Sequence, residues 1–214
     1  MDDATQAHAY AAADFETPHS MFVELLAERI PSATRGGNIL DLGCGPADVS
    51  IRFAHANPLS KVTGIDGAPV MVELGRHAVA AAGLADRISL QVGRLPAHRA
   101  DSRAFDGVIS NAFLHHLHNP FDLWEAAIAA SKPNAWLFVM DLARPASAHD
   151  AARLVTVHAA AEPELLKRDF YNSLLAAYEP DEVRAQLARI GLHQTTVETV
   201  SDRHWIAWND LLAA

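Results

Sequence analysis

At 214 residues, half of them apolar, the chain suffices for one domain with a sizeable buried core and is too short for two ordinary ones. Its 17 Lys and Arg stand against 26 Asp and Glu, a formal charge of −9, so the basic footprint of nucleic-acid binding is missing and a small-molecule partner is favoured. The single cysteine, Cys44, excludes an intrachain disulfide and fits a reducing cytoplasm, while the apolar runs are too short for a membrane span and Met1-Asp2-Asp3 does not open a secretory signal.

Residues 1–19 carry no clear element and read as an arm, followed by a helix over Ser20–Ile30. Strands are then expected at Asn38–Leu42, Val62–Ile65, Ile88–Val92, Phe105–Ser110 and Trp136–Asp141, each short, apolar and bounded by turn formers. Helices alternate with them: Asp48–Ala56, Pro69–Ala82 with Pro at its first position and Gly83 at its end, and Phe121–Ser131, stopped by Lys132-Pro133. From residue 142 to 179 the rhythm breaks into a mainly helical stretch, before a helix over Pro180–Ile190 that stops at Gly191. Thr195–Val200 and His204–Trp208 are joined by Ser201-Asp202-Arg203, a link short enough to require an antiparallel hairpin. The pattern predicts a single α/β domain over 1–214, built on a doubly wound, Rossmann-like sheet of five parallel strands plus a C-terminal antiparallel hairpin, seven strands in all. The arm and helix of 1–30 and the insertion 142–179 are expected to flank one face as a lid.

The most informative segment is Ile39-Leu40-Asp41-Leu42-Gly43-Cys44-Gly45-Pro46-Ala47-Asp48, an apolar strand running into a glycine turn and then a helix. Gly43 and Gly45 let backbone approach a ligand, and amides at the helix start accept polar or negative groups. Asp41 is placed to attract the ammonium end of a cofactor that carries an amino acid. Asp66, 21 positions after Gly45 at the end of the next strand, suits ribose hydroxyls. Capping a turn and capping the helix near Pro69 are the ordinary alternatives for these two aspartates.

With these residues in view the sequence resembles the class I S-adenosylmethionine-dependent methyltransferases, in their small-molecule branch. Ile39 to Gly45 is similar to that family's first motif, and Gly64-Ile65-Asp66-Gly67-Ala68-Pro69-Val70-Met71 to its ribose-binding segment. Phe105-Asp106-Gly107-Val108-Ile109-Ser110-Asn111, with Leu114-His115-His116-Leu117, resembles the fourth-strand motif, and Lys132-Pro133 leading into Leu137-Phe138-Val139-Met140-Asp141 the fifth. The resemblance implies S-adenosylmethionine as cofactor, with Asp41 and Gly43 at its methionine part, Asp66 at the ribose, Met71 at the adenine face with Gly93, Arg94 and Leu95 beside it, and Cys44, Gly45, Gly67, Asn111 and His116 completing the site. Two positions depart from it. Arginine at 94 stands where the family often has an acid that accepts from the adenine amino group, which a guanidinium cannot do. Backbone near Arg94-Leu95, or Arg94 stacked on the ring, then remains for adenine, unless Arg94 points to solvent. Asn134-Ala135 replaces the usual Gly-Gly turn, and asparagine tolerates the left-handed conformation.

Ligands of open parallel sheets gather beyond the carboxyl ends of the strands. That rule selects Asn111, His115 and His116 beyond the fourth strand, Asp141 and Arg144 beyond the fifth, and Arg203 and His204 in the hairpin. Methyl transfer is a direct displacement needing alignment and exclusion of water. An acceptor that carries a proton also needs a base, for which His115 or His116 is suited, although a histidine after a strand also simply caps or packs. Asp14, Phe15 and His19 of the arm, with Tyr171 and Asn172 of the insertion, are further candidate acceptor contacts, or else packing. The His115-His116-Leu117-His118 spacing is too compressed for a zinc site, so no metal is expected. The expected partner is a small methyl acceptor, with no nucleic acid or membrane and a monomer or homodimer. Competing readings are a non-catalytic cofactor sensor or partner subunit, a nucleic-acid methyltransferase, and an NAD-dependent oxidoreductase, the last disfavoured by Asp48 at the third glycine position.

Overall fold

A computed structural model describes residues 10, 13, 15–98 and 100–210. The sheet has seven strands, β1 (Gly37–Leu42), β2 (Ser60–Asp66), β3 (Ile88–Val92), β4 (Phe105–Asn111), β5 (Ser131–Leu142), β6 (Thr196–Thr199) and β7 (His204–Asn209), in the order β3-β2-β1-β4-β5-β7-β6. The first five are mutually parallel, and β7 is antiparallel to both β5 and β6. The doubly wound sheet with its terminal hairpin is therefore as expected. β7 slots between β5 and β6, which leaves β6 on the edge and parallel to β5.

Side chains alternate across these strands with period two, and each set meets its own layer of helices. Ile39, Ile109, Trp136, Phe138, Met140 and Ile206 face one side. There they meet α1 (Glu16–Arg29), α2 (Asp48–Ala56) and α3 (Pro69–Ala81) through Phe22, Leu26, Phe53, Val72 and Val79. Leu40, Val108, Leu137, Val139, Trp205 and Ala207 face the other, against α4 (Phe121–Ala130) and α7 (Pro180–Arg189), which contribute Leu123, Trp124, Ala127, Val183 and Leu187. Burial on both faces explains why the strands read as apolar runs rather than as alternating ones.

Two elements extend beyond the sequence expectation. α1 begins at Glu16, whose carboxylate takes two bonds from Arg52 of α2, at 2.9 and 2.7 Å, so a tertiary contact adds a first turn that local pattern did not announce. β5 begins at Ser131, opposite Phe105, and passes through Lys132-Pro133; the register shifts there, and Asn134 takes φ +65°, the left-handed turn anticipated for it. The stretch after β5 forms two helices, α5 (Ala148–His158) and α6 (Glu164–Ala176), packed on Leu142 through Ala151, Leu154, Leu174 and Ala177. Ser147 caps α5 by accepting from the Asp150 amide at 3.1 Å, and Glu179 and Glu182 form a capping box on α7.

Candidate active site

Two neighbouring cavities open at the carboxyl ends of the strands. The first, of about 470 Å³, is built around the β1–α2 loop. The Gly43 and Cys44 amides both donate to the Ile65 carbonyl, at 2.8 and 3.2 Å, which lashes the loop to the end of β2. Gly43 takes φ +77°, and a Cβ there would lie 2.2 Å from the Phe113 ring, so the position admits glycine on both counts. Asp66 braces the same loop: its Oδ2 accepts from the Gly45 amide at 2.9 Å and its Oδ1 from the Ala68 amide at 2.8 Å. Each carboxylate oxygen keeps a further lone pair for a ligand hydroxyl.

Asp41 is buried at 2 % exposure and receives the Ser50 hydroxyl at 2.5 Å. Burial pushes its carboxyl up to about 7, opposed by the Ser50 bond and assisted by the negative charge of Asp66. A cation brought beside Asp41 would restore its charge. Burial, with the charges of Asp41 and Asp66, also holds the Cys44 thiol well above its ordinary value, so Cys44 is a packing group and not a nucleophile. Met71, Gly93, Leu95, Asn111 and His116 complete the wall, and the Arg94 stem lies over Gly67, where a Cβ would meet its Cγ at 2.8 Å. Two carboxylates at different depths, a side-chain-free loop and a thioether wall suit a cofactor that joins an amino acid to a nucleoside.

The second cavity, of about 410 Å³, shares Tyr10, His19, Asn111, Ala112 and His116 with the first. Its remaining wall comes from Phe15 of the arm, Met140 and Leu142 of β5, His158 of α5, Leu166, Asp169, Phe170 and Ser173 of α6, and Arg203 and His204 of the hairpin. At its base His115 Nδ1 lies 2.5 Å from Asp141 Oδ1. Asp141 also accepts from the amides of Leu142 at 2.6 Å and His115 at 3.3 Å. Burial would raise the Asp141 carboxyl, but the charge and hydrogen bond of His115, with the Leu142 amide, outweigh it and hold the group below its usual value. A carboxylate only accepts, so Nδ1 carries the proton that faces Asp141. His115 Nε2 is buried and has no hydrogen-bond partner among the described residues.

The neighbouring imidazoles are kept neutral. His116 faces both cavities with its ring 4.1 Å from that of His115; desolvation in the cleft, then the His115 charge, lower it to about 4. Burial followed by the charge of Arg203 does the same for His204, whose Nδ1 lies 2.9 Å from the Ser201 hydroxyl. Arg203 is itself engaged by Asp202 at 3.0 Å and His158 at 2.9 Å. On the arm side the Tyr10 ring is tilted against Phe15 and Phe15 stacks on His19, with centroids 4.6 and 5.2 Å apart, and His19 Nδ1 reaches Asp48 at 2.6 Å.

All the residues expected around the cofactor line the first cavity. Phe15, His19, His115, His116, Arg203 and His204 line the second, whereas Asp14 lies outside the described residues. Asp141 is placed behind His115 and does not line the cavity. Arg144 turns away to Glu179 and Glu182, at 3.2 and 2.7 Å, and ties β5 to α7. Tyr171 and Asn172 also fall outside the cavity, for a reason of helix phase. α6 presents Leu166, Asp169, Phe170 and Ser173, spaced by three and four, while Asn172 is exposed and Tyr171 packs beside Leu154 and Leu174. The sequence reading passed over Tyr10, Ser50 and His158. Nothing local marks the first and third; Ser50 follows from Asp41 once α2 is known to start at Asp48. Among the described residues no three His, Cys, Asp or Glu side chains converge as a metal-ligand set, and no helix is long and apolar enough to cross a membrane.

A nucleotide-type sheet with its ligand loop after β1 defines the class of fold. The model of the methyltransferase domain family matches residues 39–134. The chain is 26 % identical over 198 residues to the 27-O-demethylrifamycin SV methyltransferase of Amycolatopsis mediterranei, covering 92 % of this chain and 68 % of that one. It is 47 % identical over 57 residues to a ubiquinone/menaquinone biosynthesis C-methyltransferase of Geotalea daltonii, a match spanning 26 % of this chain and only 24 % of the relative. The plantazolicin methyltransferase, solved with a monoazolic desmethyl analogue and S-adenosylhomocysteine, shares the fold with a TM-score of 0.69 at 15 % identity, over 91 % of this chain and 86 % of that one. Residues 39–134 carry the methyltransferase-domain match, the fold is that of the S-adenosylmethionine-dependent methyltransferases, and S-adenosylmethionine is the cofactor that these matches support.

Proposed function

We propose that this protein methylates a small molecule held in the cavity between the arm, α6 and the β6–β7 hairpin, with His115 as general base and Asp141 positioning it. The observation that carries the reading is the shared wall of Asn111, Ala112 and His116, which sets a site fit for an adenosyl amino acid directly against a cavity with an unpartnered imidazole nitrogen at its base. Bound S-adenosylmethionine supplies a methyl group made electrophilic by its sulfonium. Asp41 attracts the cationic methionine end, Asp66 receives the ribose hydroxyls and holds the loop, and the Arg94 stem with Met71 flanks the adenine. The arm and the α5–α6 pair act as a lid that shuts out water, which strengthens electrostatics and prevents side reactions. The relatives transfer, by their names, to an oxygen in one case and to a carbon in the other, so their company leaves both acceptor atoms in play.

Calorimetry with S-adenosylmethionine, S-adenosylhomocysteine and NAD tests the cofactor half. Binding of the first two and not the third is expected, and binding of NAD alone would sink it. A screen of phenols, amines, thiols and carboxylic acids with labelled methyl donor tests the transfer itself, and label in none of them would remove it.

A further inference from the structure

We propose that the acceptor carries a carboxylate remote from the atom that is methylated, and that this group docks on Arg203 of the β6–β7 hairpin; the inference rests on the function proposed above. Arg203 lines the second cavity, with its side chain 16 % exposed. Only the Nη1 corner of its guanidinium is engaged, at 3.0 Å from Asp202 Oδ1 and 2.9 Å from His158 Nε2. Nε and Nη2 have no hydrogen-bond partner among the described residues. Those two nitrogens form one edge of the planar group, and their N–H bonds run side by side at the spacing of the two oxygens of a carboxylate. Asp202 and His158 already fix the side chain, so a carboxylate that takes this edge meets a fork set before it arrives and costs little further ordering.

Charge selects the hairpin end of the cavity for this group. Among the described residues Arg203 is the sole Lys or Arg of the wall, and burial holds His116 and His204 neutral. Asp202 offsets part of the charge of Arg203, but it is 47 % exposed and not part of the wall, so water screens it while Arg203 acts inside. Glu162 and Asp169 enter the wall from the α5–α6 side and repel an anion, which turns the carboxylate end of an acceptor toward the hairpin and away from the helices. A cavity of about 410 Å³ with Met140, Leu142, Leu166 and Phe170 in its wall suits a compact, mostly apolar body behind that group. The far end of the molecule then lies toward Asn111, Ala112 and His116, the wall shared with the cofactor cavity. Other end groups use the fork less well: an amide offers it one neutral oxygen, and an ammonium offers it no acceptor at all.

The test uses a matched series on one ring system: 2-naphthoate, 2-naphthamide and 2-naphthylmethylamine. Binding of each to the intact protein saturated with S-adenosylhomocysteine is measured by calorimetry. Naphthoate is expected to bind at least about tenfold more tightly than naphthamide, and naphthylmethylamine no more tightly than naphthamide. Arg203→Gln should bring naphthoate to within about twofold of naphthamide, with naphthamide itself and S-adenosylhomocysteine bound as in the parent. Arg203→Lys keeps the charge without the fork and should retain only part of the preference, which separates a bidentate seat from simple attraction. Naphthoate that binds no more tightly than naphthamide, or not at all, would overturn the carboxylate seat while leaving the methyltransferase reading intact. A preference that survives Arg203→Gln, or is undiminished in Arg203→Lys, would overturn the assignment to the Arg203 fork in the same way. Failure of the parent protein to bind S-adenosylhomocysteine would overturn the methyltransferase reading instead.

Discussion

The two halves of the site are built in opposite ways. The cofactor half is made from short contiguous segments, above all residues 41–48 and 64–71, and much of its work is done by backbone: amides tied to Ile65, a carboxylate clamped on the Gly45 and Ala68 amides, and residues held at positive φ. The half proposed for the acceptor draws on the arm, the turn after β4, the end of β5, α5, α6 and the hairpin, and its chemistry lies in side chains that meet only when the chain is folded. A backbone-defined site tolerates few substitutions and therefore has a legible pattern. A site assembled from distant side chains can change its specificity without disturbing the loop beside it.

Substitutions that separate the halves test this contrast. Gly43→Ala forces φ +77° on a residue with a Cβ and drives that atom against the Phe113 ring. An affinity loss for S-adenosylmethionine of about 100-fold is expected by calorimetry, from about 1–2 kcal/mol of backbone strain plus the clash. An unchanged affinity would mean that the loop does not hold the cofactor by its backbone.

Asp66→Ala leaves the Gly45 and Ala68 amides without their partner and removes the ribose contact proposed for it. Its expected cost is about tenfold in cofactor affinity, with acceptor binding to the S-adenosylhomocysteine complex following only through that loss. An affinity within twofold of the parent, measured by calorimetry, would strip Asp66 of its role.

Asp41 predicts a pH dependence. Its carboxyl stands at about 7 without ligand, and a cation beside it favours the ionised form, so cofactor binding releases a proton. Affinity should therefore be level above about pH 7 and weaken by up to about tenfold per unit below it. In the ligand-free protein the sign is the reverse for stability: a carboxyl raised in the folded state supports the fold at low pH, and that support is lost as pH rises through about 7. Asp41→Asn should flatten both profiles, as read by calorimetry and thermal melting.

The smallest effect concerns Ala47, which takes φ +68° at the start of α2. Ala47→Gly should relieve about 1 kcal/mol and raise Tm by about 2–4 °C in a chain of this size, with kcat unchanged. A lower Tm would show that the methyl group packed under Gly75 contributes more than the strain costs.

Much of the fold was legible because it rests on local rules. The helix over Asp48–Ala56 follows from an acid at its first turn and a stripe of apolar residues, and the stops at Gly83 and Gly191 take the left-handed φ of +70° and +85° that only glycine adopts freely. Where the reading stopped short, a contact distant in sequence was responsible. Arg52 adds the first turn of α1, and the register with β4 draws Ser131 into β5. In the site, the phase of α6 replaced Tyr171 and Asn172 with Asp169, Phe170 and Ser173, and the bond to His115 withdrew Asp141 from the cavity into a supporting place.

The sequence by itself determined the cofactor loop, the aspartates that flank it and the sheet that carries them, because hydrogen bonding of a tight turn and the period of a buried strand are properties of a few consecutive residues. Only the tertiary structure decided which histidine is held by a buried carboxylate and what surrounds it. His115 and His116 are neighbours of the same type, and what distinguishes them is the carboxylate of Asp141, 26 residues further on, which packing brings to one ring and not to the other.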